Sequence, residues 1–257
     1  MALIDRLSEV SESVFAFQEC DTLFPDGNLS SQFSKSEVMS RYLEKMSMAQ
    51  DQVFQNPRIP RRGNVISFPM IFGDLNRIDI NKFPEAKSAD FFVVFGASFI
   101  KGALCNFLVK NGALNIHMGV SPYYRGSSCN FWAMYNGDYQ YMGATIHELS
   151  KGLDSGPILR TVFPEAEKID PFVLTMKSVR SAQNALANYL TELSVDSSKR
   201  LIATNQSREK ELHYTKAEDF TDDVARKYLE GPPAEEAVYV AMSCREMDLF
   251  VNPVVCS

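Results

Sequence analysis

The sequence lacks any continuous run of about 18 apolar residues, the length that a membrane-spanning helix requires. It also lacks the Cys-x-x-Cys and His-x-x-x-His spacings that are typical of zinc sites. The start of the chain carries charges at Asp5, Arg6 and Glu9, where a secretory signal would be apolar. We therefore expect no membrane partner, no bound metal and a cytoplasmic location.

A regular cysteine framework is also missing. The five cysteines are odd in number and scattered through the chain. This distribution favours free thiols in a reducing compartment over a disulfide-stabilised secreted fold.

Positive charge is scarce, above all near the end of the chain. The 26 lysines and arginines face 32 aspartates and glutamates, and residues 211–257 hold ten acidic but only four basic side chains. An acidic surface is poorly suited to a phosphate backbone, so nucleic acid is not an expected partner.

The 257 residues suffice for one sizeable domain with a small appendage. The hydrophobic content of 45% is ordinary for a globular protein. The composition turns polar after Ser194. We therefore predict a core over residues 1–195 and a small acidic C-terminal extension over residues 196–257.

Helical and strand patterns alternate along the predicted core, which indicates an α/β sheet with right-handed crossovers. Apolar residues recur at helical spacing over 36–54 and 170–193, and residues 90–95 are apolar on both faces, as in a central parallel strand. Residues 21–32 and the segment holding Arg58, Arg61 and Arg62 are predicted to be loops.

The beginning of the chain departs from the usual pattern. A doubly wound fold normally starts with a strand and a glycine-containing turn, whereas residues 2–10 are helical and the first strand is predicted over 13–19. We expect the usual first strand to be absent, either because the sequence starts inside the fold or because another segment takes its place.

The most informative stretch is residues 114–126. Asn115 and His117 alternate with apolar residues, so their side chains emerge on the same face of a strand. Gly119 and Pro122 end that strand, and a loop runs to Gly126. Open α/β sheets place their binding sites at such strand ends.

Three motifs follow one another around this stretch. Asn-x-His ends at His117, Ser-Pro-x-x-Arg-Gly ends at Gly126, and Gly-Leu-Asp-Ser-Gly ends at Gly156. Over roughly residues 90–193 the chain resembles the folate-dependent formyltransferase family. The resemblance implies a Rossmann-like, doubly wound, mostly parallel sheet, and transfer of a formyl group from 10-formyltetrahydrofolate to an amine.

The resemblance also implies site residues. The catalytic trio of the family matches Asn115, His117 and Asp154. Binding of the folate cofactor is implied for Phe95, Gly96, Ala97, Ser98, Phe99, Ile100, Lys151, Gly152 and Leu153. Binding of the amine substrate is implied for Ser121, Pro122, Tyr124, Arg125 and Gly126.

The chemistry independently calls for these residue types. Attack of an amine on a formyl carbon produces an oxyanion, which the amide of Asn115 and a protonated His117 could stabilise as donors. The amine must lose a proton and the folate nitrogen must gain one, which suits a group titrating near neutrality. A carboxylate at Asp154 would raise the pKa of His117 and relay the proton. We expect a structural or supporting role for His147, and a structural or exposed position for His213.

The sequence does not decide which amine receives the formyl group. The strand and loop motifs look most similar to family members that act on amino-sugar nucleotides, while methionyl-tRNA and glycinamide ribonucleotide are the alternative acceptors. We therefore expect a small-molecule amine as the substrate. We also expect a homodimer. Outside the transferase class, the same residues could hydrolyse formyl-folate, or an inactive protein could bind folate without turnover.

Overall fold

The computed structural model describes residues 1–20, 36–55 and 62–257. The predicted loop over 21–32 and the arginines Arg58 and Arg61 lie outside the described residues. The helices are α1 (Ala2–Ser8), α2 (Glu37–Phe54), α3 (Pro84–Lys87), α4 (Gly102–Lys110), α5 (Cys129–Asn136), α6 (Pro171–Val195), α7 (Asp222–Glu230) and α8 (Glu235–Ser243). The strands are β1 (Val14–Cys20), β2 (Val65–Ile71), β3 (Val93–Phe95), β4 (Leu114–His117), β5 (Tyr124–Gly126), β6 (Ala144–Glu148), β7 (Ile158–Pro164), β8 (His213–Thr215) and β9 (Val254–Cys256).

The strands form one five-stranded sheet and two strand pairs. The five strands lie in the order β3-β4-β6-β7-β9, while β1 pairs with β2 and β5 pairs with β8. Of these pairings in the described chain, β4 with β6 and β6 with β7 are antiparallel, and the others are parallel. The predicted mostly parallel α/β architecture is confirmed.

Two long helices begin at the predicted residues because a polar side chain caps each of them. The hydroxyl of Ser36 accepts a hydrogen bond from the backbone N–H of Met39 at the start of α2. The carboxylate of Asp170 accepts from the N–H groups of Phe172 and Val173 at the start of α6. Each cap satisfies backbone donors that have no partner within the helix.

Helix α6 covers one face of the five-stranded sheet. Its Ala182, Leu186 and Leu190 pack with Leu114 and Ile116 of β4 in one buried cluster. This leaves the side chains of Asn115 and His117 on the opposite face of the strand, because successive side chains alternate. Met176 and Val179 of α6 pack in a second cluster with α2 and α5.

The apolar run over 90–95 forms a shorter strand than expected. Only Val93–Phe95 is in strand β3, because pairing with β4 begins where the N–H of Leu114 donates to the carbonyl of Phe92. The chain starts in the predicted order, α1 and then β1. A cavity of about 420 Å³ lies between β1 and β3, with α1 along its wall.

The part of the chain beyond α6 packs back onto the core. Strand β9 extends the five-stranded sheet by pairing with β7, and β8 pairs with β5 next to the loop that follows β4. The hydroxyl of Ser181 on α6 also donates to the carbonyl of Cys256. No helix among the described residues is both long and apolar enough to cross a membrane.

Tyr42 is the centre of the second cluster. It is 7% exposed, and its ring contacts the rings of Phe131, Phe172, Phe220 and Tyr228 at centroid distances of 4.9–6.3 Å. These rings belong to α2, α5, α6, α7 and the turn before α7, so one side chain joins several elements.

We predict that Tyr42→Ala lowers the free energy of unfolding by about 3–5 kcal/mol, because it removes a buried ring and leaves a cavity. Tyr42→Phe is the matched control, since it keeps the ring. Urea unfolding of both variants measures the difference. A loss below about 1 kcal/mol for Tyr42→Ala would contradict the packing described.

Candidate active site

A crevice of about 280 Å³ opens where β3 and β4 end. Its walls come from the loop after β3, the last residues of β4, and the loop between β6 and β7. The polar side chains that line it include Asn115, His117, His147 and Asp154. The three segments are brought together by the pairing of β3 with β4 and of β4 with β6.

Asn115 and His117 point into the crevice from β4, as the alternation predicts. His117 is 6% exposed. Asn115 lies directly opposite His147 in the antiparallel pairing of β4 with β6, so two strands supply the polar floor of the site.

Asp154 reaches the same place from the loop between β6 and β7. Its Oδ2 lies 3.3 Å from Nδ1 of His117, and its Oδ1 lies 3.4 Å from the amide nitrogen of Asn115. The backbone of Asp154 is left-handed, with φ of 44°. At Gly156 a Cβ atom would collide with the carbonyl oxygen of Glu148, so this close approach of the loop to β6 requires glycine.

His147 fixes the orientation of Asn115. Its Nδ1 lies 2.8 Å from the carbonyl oxygen of Glu148, and because a carbonyl can only accept, this nitrogen carries the proton. Its Nε2 then accepts from the amide nitrogen of Asn115 at 2.9 Å. His147 thus supports the site by fixing the direction of the Asn115 amide.

Both N–H groups of the Asn115 amide consequently have partners within the protein. One faces Nε2 of His147 and the other faces the carboxylate of Asp154. The amide oxygen is the group left for a ligand. The expected donation from the Asn115 amide to an oxyanion would require one of these two contacts to break.

The ring of His117 is held between two acceptors. Its Nδ1 faces Asp154, and its Nε2 lies 3.2 Å from the carbonyl oxygen of Tyr124. Burial would lower the pKa of His117, but the neighbouring Cys129 sulfur and Asp154 carboxylate outweigh burial and hold the pKa well above its usual value. The ring is therefore an imidazolium at neutral pH.

The pKa of the Asp154 carboxyl group is shifted in the opposite direction. Burial would raise the pKa of Asp154, but the charged ring of His117 facing its Oδ2 outweighs burial and holds that pKa far below its usual range. An ion pair thus forms at the floor of the crevice, with Asp154 negative and His117 positive.

The residues expected to bind the cofactor mostly surround the crevice. Phe99 and Leu153 are exposed at its rim, which gives it two apolar side chains open to a ligand. Lys151 is exposed and does not line the crevice in the part of the chain that the structure describes. The expected residues that do line the crevice are Phe95, Gly96, Ala97, Ser98, Phe99, Ile100, Gly152 and Leu153.

The residues expected to bind the amine substrate are less well placed. Gly126 lines the crevice, but Ser121, Pro122 and Tyr124 are buried in the protein interior. The N–H of Ser121 donates to the hydroxyl of Thr145, and the Tyr124 hydroxyl donates to Asp138. The structure therefore does not bring these three side chains to the crevice.

Arg125 is buried beside the crevice, where it connects two segments. Its Nη2 donates to the carbonyl of Leu153 at 3.1 Å, next to Asp154. Its Nη1 donates to Glu211 at 2.9 Å. These two hydrogen bonds connect the Asp154 loop to the segment after α6, whereas Nε of Arg125 is buried without a hydrogen-bond partner.

No group of three or more His, Cys, Asp and Glu side chains in the described ranges has the arrangement of a metal site. All five cysteines are unpaired thiols. His213 lies on β8, where its ring packs against that of Tyr124 at 4.9 Å, away from the crevice lining.

The sequence family described as formyl transferase matches residues 79–191, which include β3, β4, β6 and the Asp154 loop. We call residues 79–191 the formyl transferase segment. All four polar residues of the crevice floor lie within this formyl transferase segment.

Several known proteins are similar to part of this chain. A methionyl-tRNA formyltransferase from Thermotoga neapolitana is 35% identical over 98 residues, which are 38% of this chain and 30% of that protein. One from Thermodesulfovibrio yellowstonii is 42% identical over 50 residues, 20% of this chain and 16% of that protein. The similarity thus spans less than a third of these relatives.

Solved structures resemble a larger share of the chain at lower identity. The formyltransferase PseJ from Anoxybacillus kamchatkensis, solved with UDP-4,6-dideoxy-4-formamido-L-AltNAc and tetrahydrofolate, covers 90% of this chain and 97% of its own, with a TM-score of 0.48 and 16% identity. A sugar N-formyltransferase from a Shewanella species covers 95% and 92%, with a TM-score of 0.44 and 15% identity.

Two residues next to the site were not identified from the sequence. Gln206 and Glu211 lie beyond the formyl transferase segment, in the part we predicted to be an extension. The side chain of Gln206 contacts the Asp154 loop, and Glu211 contacts Arg125. Neither belongs to a motif or a periodic pattern, so the sequence carried no signal for them.

We predict that the pKa of His117 falls when the carboxylate is removed in Asp154→Asn. The ring stays buried, which favours the neutral form, while the charge of Asp154, which outweighed burial together with Cys129, is gone. Titration of the His117 ring resonances by NMR in wild type and Asp154→Asn measures this. Unchanged titration of His117 would refute the ion pair.

Proposed function

We propose that this chain transfers a formyl group from 10-formyltetrahydrofolate to a primary amine. The observation that carries the proposal is the cluster of Asn115, His117 and Asp154 at the floor of one crevice, inside the formyl transferase segment. The catalytic roles of these three residues are part of the proposal.

Each residue of the cluster has a proposed task. The oxygen of Asn115 accepts an N–H of the incoming amine and so turns the nitrogen lone pair toward the formyl carbon. The imidazolium of His117 is the positive group nearest to the developing oxyanion and stabilises it electrostatically. Asp154 keeps His117 protonated and in place.

The reaction balances without a further reagent. The amine nitrogen forms a bond to the formyl carbon, and the bond from that carbon to the folate nitrogen breaks. The amine loses one proton and the folate nitrogen gains one. His117 and Asp154 already face each other through a proton, so this pair is the proposed path for the transfer.

The donor would lie against the loop after β3. This wall offers the backbone of Gly96, Ala97 and Ser98 to a polar edge, and Phe99 and Leu153 to an apolar face. A flat heteroaromatic ring has both features, and the small residues allow it to approach the backbone closely.

For the acceptor we propose the amino group of an amino-sugar nucleotide. The excess of acidic residues over 211–257 opposes binding of a tRNA backbone, although the relatives named above are methionyl-tRNA formyltransferases. The Asn-Ile-His and Tyr-Tyr-Arg-Gly segments resemble the family members that act on amino sugars.

An assay of tetrahydrofolate release from 10-formyltetrahydrofolate tests the proposal. The panel of acceptors contains amino-sugar nucleotides, glycinamide ribonucleotide, methionyl-tRNA and buffer alone. We expect release only with an amino-sugar nucleotide. Release in buffer alone would identify a hydrolase, and binding of folate without release in a folded protein would identify an inactive binding protein.

We predict that Asn115→Ala and His117→Ala each lower kcat by roughly a hundredfold or more, the scale for losing a group that acts on the reacting atoms. Asn111→Ala is the control and should leave kcat unchanged, because Asn111 lies at the exposed end of α4. Rates near wild type for both site variants would exclude the proposed mechanism.

A further inference from the structure

We propose that Gln206 is a positioning residue of this site, which holds the Asp154 loop in its active geometry from outside the formyl transferase segment. The proposal rests on the proposed function for its kinetic consequences. It depends on contacts between the loop and the segment over 204–211, which follows α6.

The side-chain amide of Gln206 connects two backbone carbonyl groups of the Asp154 loop. Its Nε2 donates to the carbonyl of Asp154 at 2.9 Å and to the carbonyl of Gly156 at 2.7 Å. A carboxamide nitrogen has two N–H groups, so these two carbonyls use its full donor capacity.

The loop needs an external partner of this kind. Asp154 has a left-handed backbone, a conformation that a residue other than glycine rarely adopts unless its surroundings impose it. Within the loop itself, the hydroxyls of Ser150 and Ser155 bond to each other and leave the carbonyl groups of Asp154 and Gly156 to Gln206.

Gln206 is itself held in position. Two residues earlier, Thr204 forms a pair of backbone hydrogen bonds with Ile158, at 2.7 and 2.8 Å, just where β7 begins. The other amide atom of Gln206, Oε1, is buried without a donor. The two hydrogen bonds of Nε2 therefore hold the Gln206 amide in this orientation. The flipped orientation is unfavourable, because it would place the amide oxygen against two carbonyl oxygens.

The same segment supports the loop from a second side. Glu211 holds Arg125, and Arg125 donates to the carbonyl of Leu153. The carbonyls of Leu153, Asp154 and Gly156 are therefore all bound by side chains that depend on the segment over 204–211. The carboxylate of Asp154 depends on this support for its distance of 3.3 Å from His117.

Loss of the hydrogen bonds from Gln206 to the loop should change the titration of His117. If the loop moves, the carboxylate recedes from the ring, while burial of the ring and its contact with Cys129 remain. The imidazolium would then lose the Asp154 carboxylate as a counter-charge. The effect reaches the reacting atoms through Asp154 and His117, so Gln206 needs no contact with the substrate.

The test compares Gln206→Leu, which removes both donors at similar bulk, with the control Gln52→Leu on the exposed face of α2. We expect the NMR titration of His117 to shift to lower pH in Gln206→Leu only. We also expect kcat to fall about tenfold or more with a smaller change in KM for the amine, because geometry and not binding is altered.

A second variant covers the case in which Gln206→Leu does not fold. Gln206→Met keeps the length of the side chain and removes both donors without adding a charge, and we expect the same shift of His117. A folded Gln206 variant with the wild-type titration of His117 would overturn the proposal. The titration needs no turnover, so it decides the role of Gln206 even if the assay for formyl transfer finds none.

Discussion

The contact between the Asp154 carboxylate and the His117 ring is the interaction on which the site depends. A buried charge without a partner is unfavourable, so neither group could be ionised alone in this position. Together they form a pair with the carbonyl of Tyr124 behind the ring and the amide of Asn115 beside the carboxylate. The strands supply His117, Asn115 and His147, but the carboxylate is supplied by a loop, and loop geometry must be imposed by its neighbours.

That requirement explains why the C-terminal part of the chain packs where it does. The five-stranded sheet and α6 form a frame that fixes the polar residues of β4 and β6. The loop between β6 and β7 gains its support from Gln206 and, through Arg125, from Glu211. The formyl transferase segment thus contains the polar residues of the crevice floor, while Gln206, outside it, contacts the loop that carries Asp154.

Local rules were enough to predict much of this arrangement from the sequence. Alternation on β4 placed Asn115 and His117 on one face, and helical spacing predicted two helices, whose first residues the structure shows capped by Ser36 and Asp170. Long-range contacts were not predictable in the same way. Gln206 is 52 residues from Asp154 in the chain, and the direction of the Asn115 amide depends on a proton that the carbonyl of Glu148 fixes on His147. The burial of Tyr124 and the short β3 likewise follow from tertiary packing that no local pattern records.

The central claim is that Asp154 and His117 act as one unit, and a double-mutant cycle on the rate of formyl transfer tests it most directly. The rates of wild type, His117→Ala, Asp154→Ala and the double variant would be compared with the same donor and amine. The account predicts that the double variant is no slower than the slower single variant, because removing either partner already disables the pair. Losses that multiply in the double variant would contradict it, since they would mean that the two residues act independently.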